Sequence, residues 1–343
     1  MVSLPGKLPV ELLQRAFFSN IGKGDRVILP PMVGGDAGVI DIEGYELLAA
    51  HSDPITASHS RIGWLSIHIA ANDIAASGFK PSWFITTLIL PEGTKEEAIL
   101  SIATDMKKAI TELGGSLLGG HTEFSSAVSR AVIITTALGA GKREDMTPTS
   151  NAKPGDFLIM TKKAALEATS IAAHDLSQLL LERGLTISEI VEAKRYIDEI
   201  SVVPEARILS SNRLANAMHD PTEGGIAAAA FEISYASGWA VELWKEPVTI
   251  SDISKKILET LGVDPLFSLS SGTLLASIPP HKLETALQAL SSAGIEASVI
   301  GKVLEKRERK LYLIKGGNIE MVISEIPQDD FIKRLSELGA TEK

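Results

Sequence analysis

Residues 67–81, IHIAANDIAASGFKP, constrain this chain more than any other stretch. They read as a helix that starts near Ile62, stops at Gly78 and is shut off by Pro81. Ala70, Ala71, Ile74, Ala75 and Ala76 make its middle small and apolar, so neighbouring backbone can sit close against it. Asn72 and Asp73 nevertheless lie in that middle. A carboxylate there is costly to bury unless a cation or several donors compensate it. Either Asp73 faces solvent or something positive meets it. Asp53, in HSDPIT, and Asp36, in GGDAG, stand upstream. Three acids at element ends or in a small-residue helix suggest an oxygen-ligand site for a hard cation such as Mg²⁺. Three unrelated acids, in a turn, at a cap and in solvent, fit the same spacing.

At 343 residues the chain is too long for one ordinary core, so two domains are expected. The polar, turn-rich stretch from Ser150 to Pro154 is the best boundary, dividing the chain into 1–150 and 151–343. The net charge is −10 and no run of Lys and Arg occurs, which argues against nucleic acid or an anionic membrane as main partner. An acidic chain can still bind a phosphorylated ligand through Mg²⁺ and helix N-termini. The chain has no cysteine, which excludes disulfides, thiolate zinc sites and a catalytic thiol within it. No signal-like opening and no bilayer-length apolar run are visible, so a cytoplasmic location is expected.

The first half alternates strand-like runs, such as SWFITTLIL at 82–90, with a long helix over 95–113. The second half begins with the strand GDFLIMTK and continues with helices over 166–183, 187–200, 205–217 and 226–237. Strands adjacent in sequence, flanked by long helices, predict an α+β fold with mixed or antiparallel sheets. Glycine loops carry the remaining candidates. Gly34 and Gly35 enter a hairpin, and Lys7 precedes a short N-terminal helix from which it can fold over a phosphate. In GGHTE, Gly120 offers a close backbone approach, Thr122 a hydroxyl, Glu123 a ligand for Mg²⁺ or ribose, and His121 an acid/base. In HDPTEGG, Thr222 is a plausible N-cap, Gly224 and Gly225 expose amides at a helix start, and Asp220 holds a metal or a turn. Polar loops and a plain capped helix account for most of the same residues. No GxxxxGK[ST], GxGxxG after a strand, HExxH or GxSxG occurs.

Taken in order, GGDAG, HSDPIT, AANDIAASGFKP, LLGGHTE, PGDFLIMTK, MHDPTEGG and LFSLSSGTLLASI resemble the aminoimidazole ribonucleotide (AIR) synthetase, or PurM-like, superfamily over nearly the whole chain. The resemblance implies two α+β domains, a homodimer formed through the sheet of the first domain, and Mg²⁺–ATP bound between domains. It also implies phosphorylation of a substrate oxygen followed by loss or displacement of phosphate. Asp36 matches the second acid of the family's Gly-Asp-Asp-Ala segment, with Gly35 at the first. Asp53 and Asp73 match metal-binding acids, accompanied by Asn72. Gly120 to Glu123 match a nucleotide loop, Asp220, Thr222, Gly224 and Gly225 match the second domain's phosphate loop, and Lys7 matches a lysine near the phosphates.

Within the superfamily, GKLPVELL, AANDIAASGFKP, LEATSIAAHD and DPTEGG look most like the hydrogenase maturation branch, HypE. That branch carries a C-terminal cysteine that accepts a carbamoyl group, whereas this chain ends RLSELGATEK. The expectation is an Mg²⁺–ATP-dependent enzyme acting on an amide, carbamoyl or small phosphorylated substrate. His121 and Asp220 are its expected catalytic groups. A non-catalytic nucleotide-binding partner in a maturation complex is the alternative from another class. A kinase resembling thiamine monophosphate kinase is disfavoured by Glu223, which breaks that branch's acidic loop pattern.

Overall fold

The computed structural model describes residues 27–29, 32, 34–35, 38–40, 46–56, 58 and 60–341. Lys7, Asp36, the N-terminal helix expected near 10–19 and the turn at 43–44 lie outside the described residues.

The first half forms strands β1 (Val27–Leu29), β2 (Gly38–Ile40) and β3 (Leu47–Ile55), helix α1 (Ile62–Ala76), and strand β4 (Lys80–Leu90). Helix α2 (Glu96–Glu112) and strands β5 (Ser116–Phe124) and β6 (Val132–Gly141) complete it. These strands make one sheet in the order β1-β2-β3-β6-β4-β5. Among the described residues only β4 and β5 pair in parallel there. The second half opens with β7 (Phe157–Thr161) and the helices α3 (Leu166–Asp175), α4 (Ser177–Glu182), α5 (Ile187–Lys194) and α6 (Val203–Ser211). Strand β8 (Ala217–His219), helix α7 (Gly225–Ser237), strand β9 (Val241–Trp244), helix α8 (Asp252–Leu261) and strand β10 (Leu275–Ile278) follow. Helix α9 (Leu283–Ser292), strands β11 (Ala297–Val303), β12 (Leu311–Lys315) and β13 (Asn318–Ile323), and helix α10 (Asp330–Thr341) end it. Their sheet runs β13-β12-β9-β11-β7-β10-β8, with β9 and β12 parallel. Two mixed, mainly antiparallel sheets covered by helices are an α+β fold, as the pattern of elements implied.

The helix expected over 205–217 ends at Ser211, because Arg213 turns left-handed (φ 53°) and Ala217 already belongs to a strand. The helix expected over 166–183 is two helices, broken at Leu176.

Every residue of α1 is buried. A helix with no polar stripe must be covered on all sides, and α1 is covered by both halves. Its Ile67, Ile69 and Ile74 pack into the core of the first sheet together with Ile197 and Ile200 from the second half. Ala75 and Ala76 pack against Ile159, Leu209 and Ala276 in the second. Gly63 is required by the close approach of α2, since a Cβ there would lie 2.3 Å from the Ile102 carbonyl oxygen. Polar contacts fasten the seam. Trp64 Nε1 donates to Ile197 O (2.9 Å), Asn72 Nδ2 donates to Ile200 O (2.9 Å), and the Val202 amide donates to Asn72 Oδ1 (2.9 Å). Arg207 Nη1 donates to Gly78 O (2.9 Å), just past the end of α1.

Candidate active-site cleft

Residues two apart on a strand share a face, so β3 presents His51 and Asp53 on one side. That side meets Asp73 of the buried α1. One ligand atom from each of His51, Asp53 and Asp73 lies within 4.8 Å of the others. His51 Nε2 stands 3.3 Å from Asp73 Oδ2. Asp73 is 7% exposed, so its charge needs a partner, and the imidazole supplies one when protonated. Two carboxylates and an imidazole converging at this distance suit a divalent cation. The oxygens fit Mg²⁺, and the nitrogen suits Mn²⁺ better. A bound cation would draw charge from phosphate oxygens there.

Asp53 also lines a narrow cleft between the halves, with Ser58 beside it and Glu167, Thr222, Glu223 and Ser271 contributed by the second half. The far wall is built by clamping the start of α3. Ala165, left-handed at φ 59°, turns the chain into that helix. Its amide donates to Ser270 Oγ (2.9 Å), and the Ala168 amide donates to Leu269 O (3.1 Å). Glu167 therefore sits in the first turn of α3, 5% exposed, facing the cleft. Burial pushes its pKa up to about 7, and the charges of Glu223 and Asp329 push the same way. Hydrogen bonds from the Ser271 side chain and amide to the Glu167 carboxyl offset part of that rise. Asp329 precedes α10 and is also raised, to about 6, chiefly by burial. Its Oδ2 accepts from the Gly224 amide (2.8 Å) and its Oδ1 from the Ile332 amide (2.8 Å).

The sequence-derived site residues divide into three groups. Asp53 and Thr222 face each other across the cleft, and Asp73 joins Asp53. Thr222 does not cap α7, whose N-cap is Gly224 with no side-chain cap. The expectation of free amides at Gly224 and Gly225 fails too, because Asp329 takes the first and Thr222 O the second (3.0 Å). Those glycines serve packing: a Cβ on Gly225 would lie 2.6 Å from Ser268 O. Gly34 likewise admits α7, since its Cβ would lie 2.8 Å from Glu232 O, while Gly35 closes a turn onto Met32 O. Asn72 holds the second half's backbone. Asp220 is 1% exposed just after β8, beside His219, whose Nε2 lies 2.8 Å from Glu232 Oε2.

The third group lies elsewhere. Gly120, His121, Thr122 and Glu123 are all exposed on β5, an edge strand of the first sheet, and contribute nothing to the cleft within the described chain. His121 Nε2 pairs with Glu123 Oε2 (3.2 Å) in solvent, so His121 has no acid/base place in the cleft. Gly120 is needed by β4, because a Cβ would lie 2.0 Å from Thr86 O.

Sequence reasoning missed His51 and Glu167. The strand-like run expected over 46–51 continues to Ile55, which puts His51 and Asp53 on one face. Glu167 reads as an ordinary first-turn acid, favoured there by the helix dipole, and only its apolar surroundings in α3 mark it.

The family of AIR synthase related proteins matches on both of its domains, the N-terminal domain over residues 34–140 and the C-terminal domain over 153–314. A putative hydrogenase expression/formation protein of Methanocaldococcus jannaschii is 26% identical, over 96% of this chain and 97% of its own length. The carbamoyl dehydratase HypE of Azotobacter vinelandii is 27% identical, over 72% of this chain and 71% of its own. The solved structure of a hydrogenase maturation protein HypE in complex with ATP aligns with a TM-score of 0.71 at 22% identity, covering 88% of this chain and 92% of that one. At that identity it establishes the fold, two PurM-like domains.

Proposed function

Because the chain belongs to the AIR synthase related family, we infer that it is an ATP-dependent enzyme that phosphorylates the oxygen of an amide or carbamoyl group. The observation that carries this reading is the cleft itself, where the His51–Asp53–Asp73 cluster of one domain meets Thr222, Glu167 and Ser271 of the other. Phosphoryl transfer is mostly positioning and charge neutralisation. Asp53 and Asp73 would hold Mg²⁺, which supplies the positive charge that gathers the phosphates. Asp53 stands at the meeting of cluster and cleft, so nucleotide and acceptor are brought together there. Thr222 adds a hydroxyl for an oxygen of either ligand. The carbamoyl chemistry in the name of the Azotobacter relative and the ATP in the HypE complex support the two halves of the proposal. Of the substrate classes considered, a phosphorylated one is disfavoured by the carboxyls Glu167, Glu223 and Asp329 on the second-domain side.

None of the 343 residues is a cysteine, so none of them is a thiol acceptor. That observation, with the occupied Gly224 and Gly225 amides, also favours a second reading, a nucleotide-binding partner in a maturation complex. We further propose that two copies associate through β5, whose Leu117, Leu118 and Phe124 are more than half exposed.

Melting with and without Mg²⁺–ATP tests the site. Saturation at a hundred times the dissociation constant adds ~2.7 kcal/mol, a rise of roughly 4 °C when the 343 residues melt together. Asp53→Ala and Asp73→Ala should each abolish the part of the rise that EDTA removes. An unchanged rise in both variants would refute the metal assignment. ADP formation with an amide present separates the enzyme from the binding partner.

A further inference from the structure

Trp64, His68 and Asn72 stand four residues apart on α1, so they share the face that meets the second half. Trp64 and Asn72 hold the turn at 197–202, through Ile197 O, Ile200 O and the Val202 amide. Lys162, at the end of β7, holds the same turn from within the second domain. Its Nζ donates to Glu199 O (3.0 Å) and Ser201 O (2.6 Å) and pairs with Glu205 Oε1 (2.8 Å). His68 lies between the two bonding residues of α1 and bonds nothing. It is wholly buried, and neither Nδ1 nor Nε2 has a hydrogen-bond partner among the described residues. Its ring leans on Trp64, with centroids 4.3 Å apart. Buried polar atoms are nearly always paired, and a buried charge costs far more than a buried dipole. An imidazole left bare in this seam is tolerated only in its neutral form.

The surrounding charges act the same way. Arg61 at the start of α1 and Lys108 of α2 stand 5.2 Å and 4.8 Å from the Trp64 ring centroid, and Lys162 acts from the second domain. The carboxylates nearby are engaged with these cations: Asp105 of α2 and Asp198 of the turn face Arg61, and Glu205 of α6 pairs with Lys162. Arg195 and Glu199 belong to the same turn as Asp198. On the other elements packed against α1, His51 and Asp53 of β3 gather with Asp73, and His219 of β8 pairs with Glu232. Arg207 of α6 donates to Gly78 O, and Lys80 of β4 is exposed. None of these groups hydrogen-bonds His68. Burial first, then Lys162, Arg61 and Lys108, hold the His68 pKa down at about 4.

We propose that α1 is an acid-sensitive joint, in which a proton on His68 releases the turn at 197–202 and lets the second domain part from the first at this seam. Opened to water, the imidazole returns to its ordinary 6.5. The folded value is the lower of the two, so the closed joint has its full stability above 6.5 and loses it as pH falls toward about 4. The cleft bridges the same two domains, with Asp53 and Ser58 on one wall and Glu167 and Thr222 on the other. The joint therefore governs how firmly those walls are held together.

Hydrogen exchange on the full chain tests the joint. It is read at the Val202 amide, which donates to Asn72 Oδ1, and at the amides of β6 in the middle of the first sheet. From pH 7 to pH 5.5 the opening constant at Val202 should rise about eightfold once intrinsic exchange rates are divided out. The β6 amides should not follow. His68→Phe keeps a ring beside Trp64 and cannot titrate, and His68→Leu removes the ring as well. In both, the acid rise at Val202 should disappear. A rise that persists in both variants assigns the titration to another group and overturns the proposal, as does a flat profile in the native chain. An equal rise at β6 means that the whole chain opens at once, which overturns the joint. Should neither variant fold, the native contrast between Val202 and β6 still decides.

Discussion

The seam between the domains and the outer edge of the first sheet carry nearly the same letters and do opposite things. The seam holds PTEGG before α7, and the edge holds GGHTE on β5. Both combine paired glycines with a hydroxyl and a carboxylate, the usual dress of a phosphate loop. In the seam the glycine amides are already bound, and the glycines admit backbone that a side chain would push away. On the edge Gly120 also admits backbone, that of β4, but Gly119 meets no atom and the His–Glu pair is turned out to solvent. Paired glycines thus report a close approach of backbone, and the approaching group here is protein. A substitution series separates the two. Gly225→Ala must place a Cβ 2.6 Å from Ser268 O at φ +61°. Overpacking of about 1–3 kcal/mol and a left-handed cost of about 1–2 kcal/mol add, and a melt should fall by roughly 3–7 °C. Gly119→Ala on the edge has no atom within 4 Å of its new Cβ and should melt like the native chain. Equal losses at both positions would erase the contrast.

The next largest effect probes what Asn72 does in the seam. If its amide joins the domains, Asn72→Ala strands the Ile200 carbonyl and the Val202 amide in a buried interface. One buried group left unpaired costs about 1–3 kcal/mol, so the melt should fall by several degrees, with Mg²⁺–ATP still raising it. Loss of the nucleotide response with an unchanged melt would instead return Asn72 to the nucleotide, as the family resemblance implied.

The sequence made the seam legible and the cleft only half so. The small-residue middle of α1 with Asp73 inside it left two readings, an Asp73 facing solvent or a positive group meeting it; the structure buries the helix and brings His51 Nε2 to 3.3 Å from Asp73 Oδ2. Periodicity also yielded the α+β class and most long elements. It missed β8, three residues long, which has no room to show a period, and it ran α6 past Ser211 because nothing in SSNRLANAM announces a left-handed Arg213. The amides of Gly224 and Gly225 were misread for a different reason. The partner of Gly224, Asp329, lies 105 residues away, and no local pattern reports a contact of that range; Gly225 bonds within its own turn, to Thr222 O. Glu167 was invisible for the same cause: its meaning comes from Ser271 and Glu223, which only the fold brings to it.

The smallest effect on stability belongs to the edge, and there the measurement must change. Leu118 is 61% exposed on β5, flanked by Leu117 at 52%. An edge strand with such a face invites pairing with a second copy, and a lysine there blocks it. Leu118→Lys removes no buried contact, so its effect on folding should stay within about 0.5 kcal/mol. Sedimentation equilibrium should show self-association weakened at least tenfold, about 1.4 kcal/mol. The seam predicts the reverse signature: Asn72→Ala costs stability and leaves association unchanged. A native chain that sediments as a monomer at all concentrations, or a Leu118→Lys chain that associates as tightly as the native one, would mean that β5 is only an exposed edge. His121 and Glu123 would then have no second copy to meet.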